Sequence, residues 1–146
     1  LRVLPDTIAG YPGPLAGVLA GLDWAASLGA EAVVSVAGDT PFFPTDLTAR
    51  LRAEARAQAH PLVLAATPRE AGVETRSMTG KLIRHPTFGL WPVALRDDLR
   101  AALEGGLKKV VLWTEPHGGR MAVFDDTRAF FNVNTPEDLA EAEAML

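Results

Sequence analysis

Residues 32–46 read AVVSVAGDTPFFPTD. Six small or β-branched residues (Ala32–Ala37) run without polar alternation, the pattern of a strand covered on both faces rather than one. The run breaks at Gly38, Asp39, Thr40 and Pro41, and an apolar pair, Phe42 and Phe43, follows. A lone carboxylate, Asp39, thus stands at the mouth of a buried strand, where it requires a hydrogen-bonding partner or a cation. Mg²⁺ takes one or two protein carboxylates and completes its octahedron with water and phosphate oxygens. A single strand-end aspartate suffices for that chemistry, but not for an all-protein calcium cage or a paired-carboxylate hydrolase. Asp-Thr-Pro is equally a good turn former, and the local sequence leaves both readings open.

Outward from this strand, apolar and helical patterns alternate. Leu1–Leu4 reads as the end of a strand closed by Pro5 and Asp6. GYPGPLAGVLAGL is a Pro/Gly turn leading into a small-residue helix that runs to about Leu28 and stops at Gly29. The central strand is expected at 31–37, a helix from Thr45 to about Ala59, and a short buried strand at 61–65. Residues 67–87 are polar and irregular and read as a hairpin or a mobile loop. FGLWPVAL gives a strand, 96–103 a helix ended by Gly105 and Gly106, and KKVVLW and RMAVF two further strands. TPEDLAEAEAML is a final helix. Strands alternating with helices in this way predict an α/β sandwich with a mostly parallel sheet, and no linker divides residues 1–146 into more than one domain.

Composition excludes several functions. The 146 residues are 48 % hydrophobic and 22 % charged, in the range of a soluble globular chain. The net charge of −4 disfavours nucleic-acid binding driven by phosphate contacts. With no cysteine there is no disulfide framework, thiolate metal site or cysteine nucleophile. His60, His85 and His117 are scattered, and no apolar run reaches the length of a membrane span. A cytoplasmic, membrane-free protein is expected. The chain opens on LRVLPD, without methionine and within a strand pattern, and so reads as lacking an N-terminal portion.

In open α/β sheets, ligands bind outside the carboxyl ends of the strands. Three stretches fall there: PDTIAGYPGPLAG, GDTPFFP and FFNVNTPEDL. In the last, Thr135 as N-cap, Pro136 at the first helical position and Asp138 two residues further on make a helix start close to a capping box. Asn132 and Asn134 are not needed for that. On an extended backbone past a strand AFF they project to one side, and an amide oxygen is an acceptable ligand for a hard cation. Asn134 can then complete a metal site begun by Asp39; both asparagines also suit a turn. In YPGPLAG, Gly13 and Gly17 either serve tight helix–sheet packing or let a ring or phosphate approach the backbone. Lys108, Lys109 and Arg120 are candidate cations for an anionic ligand, and equally ordinary surface charges.

DTIAGYPGPLAG, GDTPFFPTDL, RHPTFGLWP and FFNVNTPEDLAEAE, in this order, resemble the molybdenum cofactor guanylyltransferases from Leu1 to the end. The resemblance implies a Rossmann-like α/β/α fold of the nucleotide-diphospho-sugar transferase type. It implies Mg²⁺-dependent (Mn²⁺ possible) transfer of GMP from GTP to molybdopterin. On it, Asp39 is the metal-binding catalytic aspartate, Asp6 contacts GTP, Gly13 and Gly17 line the nucleotide pocket, and Asn132 and Asn134 lie in the active site. Other molybdenum cofactor biosynthesis proteins or acceptor apoenzymes are implied as partners. The chain departs from the family at its start: the strand and glycine-rich loop that cradle the triphosphate are not in these 146 residues, and Gly38 stands where a cysteine is common. Alternatives are a related cytidylyl- or sugar-phosphate nucleotidyltransferase, or a non-catalytic cofactor-binding relative.

Overall fold

The computed structural model describes residues 3–6, 8, 10, 13–56, 61–69, 78–79 and 82–146. Five helices and a five-stranded sheet make up the described chain. The helices are α1 (Pro14–Ser27), α2 (Leu47–Ala55), α3 (Arg96–Glu104), α4 (Val110–Thr114) and α5 (Pro136–Ala144). The strands are β1 (Ala32–Ser35), β2 (Val63–Pro68), β3 (Met78–Thr79), β4 (Leu82–Pro92) and β5 (Arg120–Val123). They lie in the order β1-β4-β2-β5, with β3 paired to β4.

Local chemistry sets the helix ends. Gly13, at φ 132°, is the N-cap of α1 and Pro14 its first residue, where the absent N–H and preset φ of proline suit a helix start. Leu15, Val18, Leu19 and Leu22 fall on one face at helical spacing and are buried. At the other end, Gly29 takes φ 71°, and the N–H groups of Gly29 and Ala30 return to the carbonyls of Ala26 and Ala25. That is the Schellman arrangement a glycine permits. Gly106 and Leu107 close α3 in the same way, on Leu103 and Ala102.

The sheet separates two apolar cores. On β2, Leu62 and Leu64 join α1, α3, Trp91 and Trp113 on one face, while Val63 and Ala65 meet α2, Phe88, Phe124 and Phe130 on the other. Period-two alternation along a strand with both faces apolar produces this three-layer arrangement.

The sheet is mixed, not mostly parallel. β4 runs against β1 and β2 and lies between them, and among the described strands only β2 and β5 pair in parallel. Uniform apolarity reports burial on two faces; it carries no information on direction. β1, β2 and β5 nevertheless share one direction, so their carboxyl ends lie along one edge. Between Leu64↔Gly89 and Ala65↔His85 the register slips, which bulges β4 at 86–88. Ser35 pins the bulge, donating to the Thr87 carbonyl and accepting from Trp91 Nε1.

Several expected elements differ. KKVVLW is not a strand: residues 110–114 form α4, with Val110 and Trp113 on its buried side. AFF is not a strand either; residues 127–130 form a 3₁₀ turn, and the Asp126 carboxylate accepts from the Arg128 amide at its start. β4 begins at Leu82, inside the stretch read as irregular, and residues 93–95 are 3₁₀ rather than strand. Val3 and Leu4 are not in a strand, and Leu1, Arg2, residues 57–60 (with His60) and 70–77 lie outside the described residues.

Candidate active site

At the carboxyl end of β1 the chain passes through Gly38 to Asp39, which is exposed, and then to Thr40, which is 1 % exposed. The Thr40 hydroxyl lies 2.8 Å from Asn132 Oδ1 and 3.2 Å from Asp39 Oδ1. One hydroxyl proton serves one acceptor at a time, and the shorter contact gives it to Asn132. The Val133 N–H donates to the Asp39 carbonyl at 2.7 Å. Two segments far apart in sequence are thereby stitched together, and Asp39 and Asn132 are brought to one place.

The N-cap of α5 fixes the second segment. Thr135 Oγ1 accepts from the Asp138 N–H at 3.1 Å, and Asp138 Oδ2 accepts from the N–H groups of Thr135 and Asn134, each at 3.0 Å. The expected capping box is present. The Asn134 amide, then Thr135, holds the Asp138 carboxyl below its ordinary range, because these bonds favour the charged form. The cap uses the backbone of Asn134 and leaves its side chain without a partner among the described residues. Asn132 and Asn134 are exposed, and Val133 between them is half-buried and tied through its N–H to the Asp39 carbonyl.

The connection from α1 to β1 is a tight turn, so α1 runs against β1 and its N-terminus stands at the same edge as Asp39. Gly13 and Gly17 therefore border the same end of the molecule. A Cβ at either would meet nothing within 4 Å: Gly13 is required by its φ, and Gly17 faces open space rather than packing. Gly21, by contrast, lies against Val33. Asp6 is exposed, and no described contact joins it to Asp39 or Gly13. Lys108 lines a shallow depression with Gly13, Pro14 and Leu103, and Lys109 is the N-cap of α4. Arg120 opens β5 at the opposite edge of the sheet and faces Glu54 at 3.7 Å, which removes it from the site.

Sequence reasoning missed a second group of residues. Thr67, Pro68, Ile83, His85, Thr127, Arg128 and Phe131 line a cavity of about 260 Å³ beside Asn132. His85 Nε2 lies 3.0 Å from Thr67 Oγ1, and its ring stacks on Phe130 with centroids 4.2 Å apart and planes 9° from parallel. Burial pushes the His85 imidazole down from 6.5 to about 4. The signal available in sequence was RHP opening an apolar run; the partner, Thr67, is on another strand.

The side chains at this edge limit what kind of metal site they could form. Among the described residues no three His, Cys, Asp or Glu side chains converge, so an all-protein cage is not on offer. Asp39 has no cationic partner among them, and it supplies one hard oxygen ligand at an open strand end. That matches a cation held mainly by water and phosphate.

Residues 1–117 match the family described as the MobA-like NTP transferase domain. A molybdenum cofactor guanylyltransferase from Bradyrhizobium sp. (strain ORS 278) is 45 % identical over 150 residues, covering 99 % of this chain and 65 % of the relative. One from Mesorhizobium japonicum is 43 % identical over 153 residues, covering 100 % of this chain and 67 % of its own length. The chain thus spans about two thirds of the length of these curated relatives. Among solved structures, molybdopterin-guanine dinucleotide biosynthesis protein A from Archaeoglobus fulgidus superimposes with a TM-score of 0.63 at 19 % identity, over 96 % of this chain and 65 % of that one. The 2-C-methyl-D-erythritol 4-phosphate cytidylyltransferase from Thermus thermophilus gives 0.63 at 22 % identity, over 90 % and 68 %. These two likenesses speak for the fold alone.

Proposed function

The chain belongs to the MobA-like NTP transferase family, and from that premise we propose that it serves a guanylyltransferase reaction that moves GMP from GTP to molybdopterin and releases pyrophosphate. The observation that carries this reading is the pairing of Asp39 with Asn132 through Thr40, at the carboxyl edge shared by β1, β2 and β5. The names of the curated relatives support guanine as the base and molybdenum cofactor as the acceptor.

The chemistry joins two anions. A terminal phosphate oxygen of the acceptor attacks the α-phosphorus of GTP; the new P–O bond forms as the bond to the β-phosphate oxygen breaks, and pyrophosphate leaves. Catalysis of such a transfer is mostly in-line positioning and neutralisation of charge. Asp39 and the side-chain amide of Asn134 are the residues that would hold Mg²⁺. When bound, the ion supplies charge neutralisation at the phosphates. Thr40 fixes Asn132 relative to Asp39, and the Asp138 cap fixes the backbone of Asn134. Gly13 and Gly17 leave the start of α1 open to a phosphate or a ring. Asp6 is assigned to the nucleotide on the family resemblance. A cytoplasmic enzyme that receives its acceptor from other cofactor-assembly proteins fits this reading, and no described helix is long and apolar enough to cross a membrane.

The test is pyrophosphate release by the full-length protein supplied with GTP, Mg²⁺ and molybdopterin, with CTP and ATP as competitors. Preference for GTP supports the assignment; tighter use of CTP moves it to a cytidylyl transferase.

A further inference from the structure

Two rings on β4 hold a third ring that leads directly into Asn132. Phe130 is buried, and His85 stacks on its face with centroids 4.2 Å apart and planes 9° from parallel. Phe88, also buried, meets the same ring edge-on at 5.1 Å and 88°, the T-shaped arrangement that aromatic pairs favour. On an unbroken strand, residues three apart point to opposite faces, so His85 and Phe88 could not both reach Phe130. The bulge at 86–88 removes that conflict, since a bulge re-aims the side chains of its strand. Pro86, which has no N–H to give the ladder, stands within it, and the Ser35 hydroxyl ties it down at the Thr87 carbonyl.

Phe88 also reaches the other arm of the site. Its ring lies 6.1 Å from that of Phe43, which belongs to the loop that carries Asp39. A line of rings, Phe43–Phe88–Phe130–His85, thus joins the same two segments that Thr40 and the Val133 N–H join by hydrogen bonds. His85 is itself fixed by Thr67, whose hydroxyl lies 3.0 Å from Nε2. Burial pushes the imidazole down from 6.5 to about 4, so at neutral pH it carries no charge with which to bind a phosphate. What it offers Phe130 is a flat face.

We propose that His85 and Phe88 are positioning residues for nucleotidyl transfer: holding Phe130 by face and edge, they fix Asn132, two residues further on, against Asp39. The proposal rests on the reading that Asp39 and Asn132 serve the transfer. Rates are steeply sensitive to such placement, a displacement of about 1 Å costing up to about a hundredfold.

The experiment compares His85→Ala, His85→Phe, Phe88→Leu and Leu99→Val in the full-length protein, by steady-state kinetics with GTP and molybdopterin and by hydrogen exchange at the Val133 amide. His85→Ala removes the stacked face and His85→Phe keeps one. Phe88→Leu removes the edge contact, and Leu99→Val perturbs the opposite core. His85→Ala and Phe88→Leu should each lower kcat about tenfold with the KM for GTP unchanged. Both should also speed exchange of the Val133 N–H, whose bond to the Asp39 carbonyl reports the joint between the segments. His85→Phe should keep most of the rate and of the protection. Leu99→Val should lower the melting temperature and leave kcat and Val133 exchange as in wild type. Wild-type kcat and exchange in both His85→Ala and Phe88→Leu overturn the proposal. A His85→Phe protein as slow as His85→Ala overturns it by giving the ring nitrogens a part in the reaction. So does a kcat that falls with melting temperature alike in all four variants, which would make the rings ordinary core packing. If the wild type transfers no GMP, the guanylyl reading fails, and exchange alone decides the clamp: faster at Val133 in His85→Ala supports it, unchanged overturns it.

Discussion

The Thr40 hydroxyl is a buried group whose described partners are the side chains of Asp39 and Asn132, so its removal discriminates between architecture and chemistry. Thr40→Val keeps the shape and loses the bonds. It should cost about 1 kcal/mol of stability but lower kcat about tenfold, with Thr40→Ser restoring most of the rate; equal loss in both variants would make Thr40 a packing residue. Asp39→Ala should abolish transfer in a protein whose circular dichroism and melting temperature are those of wild type. The two ends of the NVNT segment should separate cleanly. Thr135→Ala removes the cap of α5 and should destabilise by about 1 kcal/mol with little effect on turnover, whereas Asn134→Ala should slow turnover and leave the melting temperature in place. Asn134 is a turn residue if both variants only melt earlier.

At the scale of elements, β4 is where the sheet is assembled, and Gly89 is where it is most tightly fitted. An added Cβ there would sit 3.0 Å from Leu64 Cδ2 and from Trp91 Cε2 and Cζ2. Trp91 is fully buried and tied to Ser35, so it has little room to give. Gly89→Ala should therefore cost about 1–3 kcal/mol by overpacking, measured by urea unfolding; a stabilised variant would show that the sheet yields there. The same strand shows what sequence conveys and what it does not. Helix ends were legible because glycine and proline act locally: Gly29, Gly106 and the Thr135–Asp138 box all stand where the sequence put them. Strand direction was not, since apolar runs look alike whichever way they point. KKVVLW was misread because Val110 and Val111 favour strands in isolation, and only tertiary burial of Val110 and Trp113 on one side selects the helix. Asp39, Asn132 and Asn134 could be singled out as polar residues stranded beside apolar segments, and the fold brings the first two together. Thr40, Thr67 and His85 were not, because their roles depend on partners 92 and 18 residues away.

For the whole molecule, His85 predicts a dependence of stability on pH. Its folded pKa of about 4 lies below the ordinary 6.5, so between those values the unfolded chain binds the proton more readily. Stability should fall as pH drops from 6.5 towards 4, and His85→Phe should flatten that slope. The carboxyls of Asp98 and Asp138 are also held low, but stability from such groups is lost only as pH falls into and below the ordinary carboxylate range, so the difference between wild type and His85→Phe in the upper part of that window reports the histidine. An unchanged slope in His85→Phe would show that the imidazole titrates normally. All of these features matter to function through one claim, that Asp39 at the end of β1 organises Mg²⁺-dependent nucleotidyl transfer. The most direct measurement is single-turnover formation of the guanine dinucleotide from GTP and molybdopterin, by the full-length protein and its Asp39→Ala variant, across a Mg²⁺ titration. Wild type should give metal-dependent product and a folded Asp39→Ala protein none; undiminished product from that variant would remove Asp39 from the chemistry.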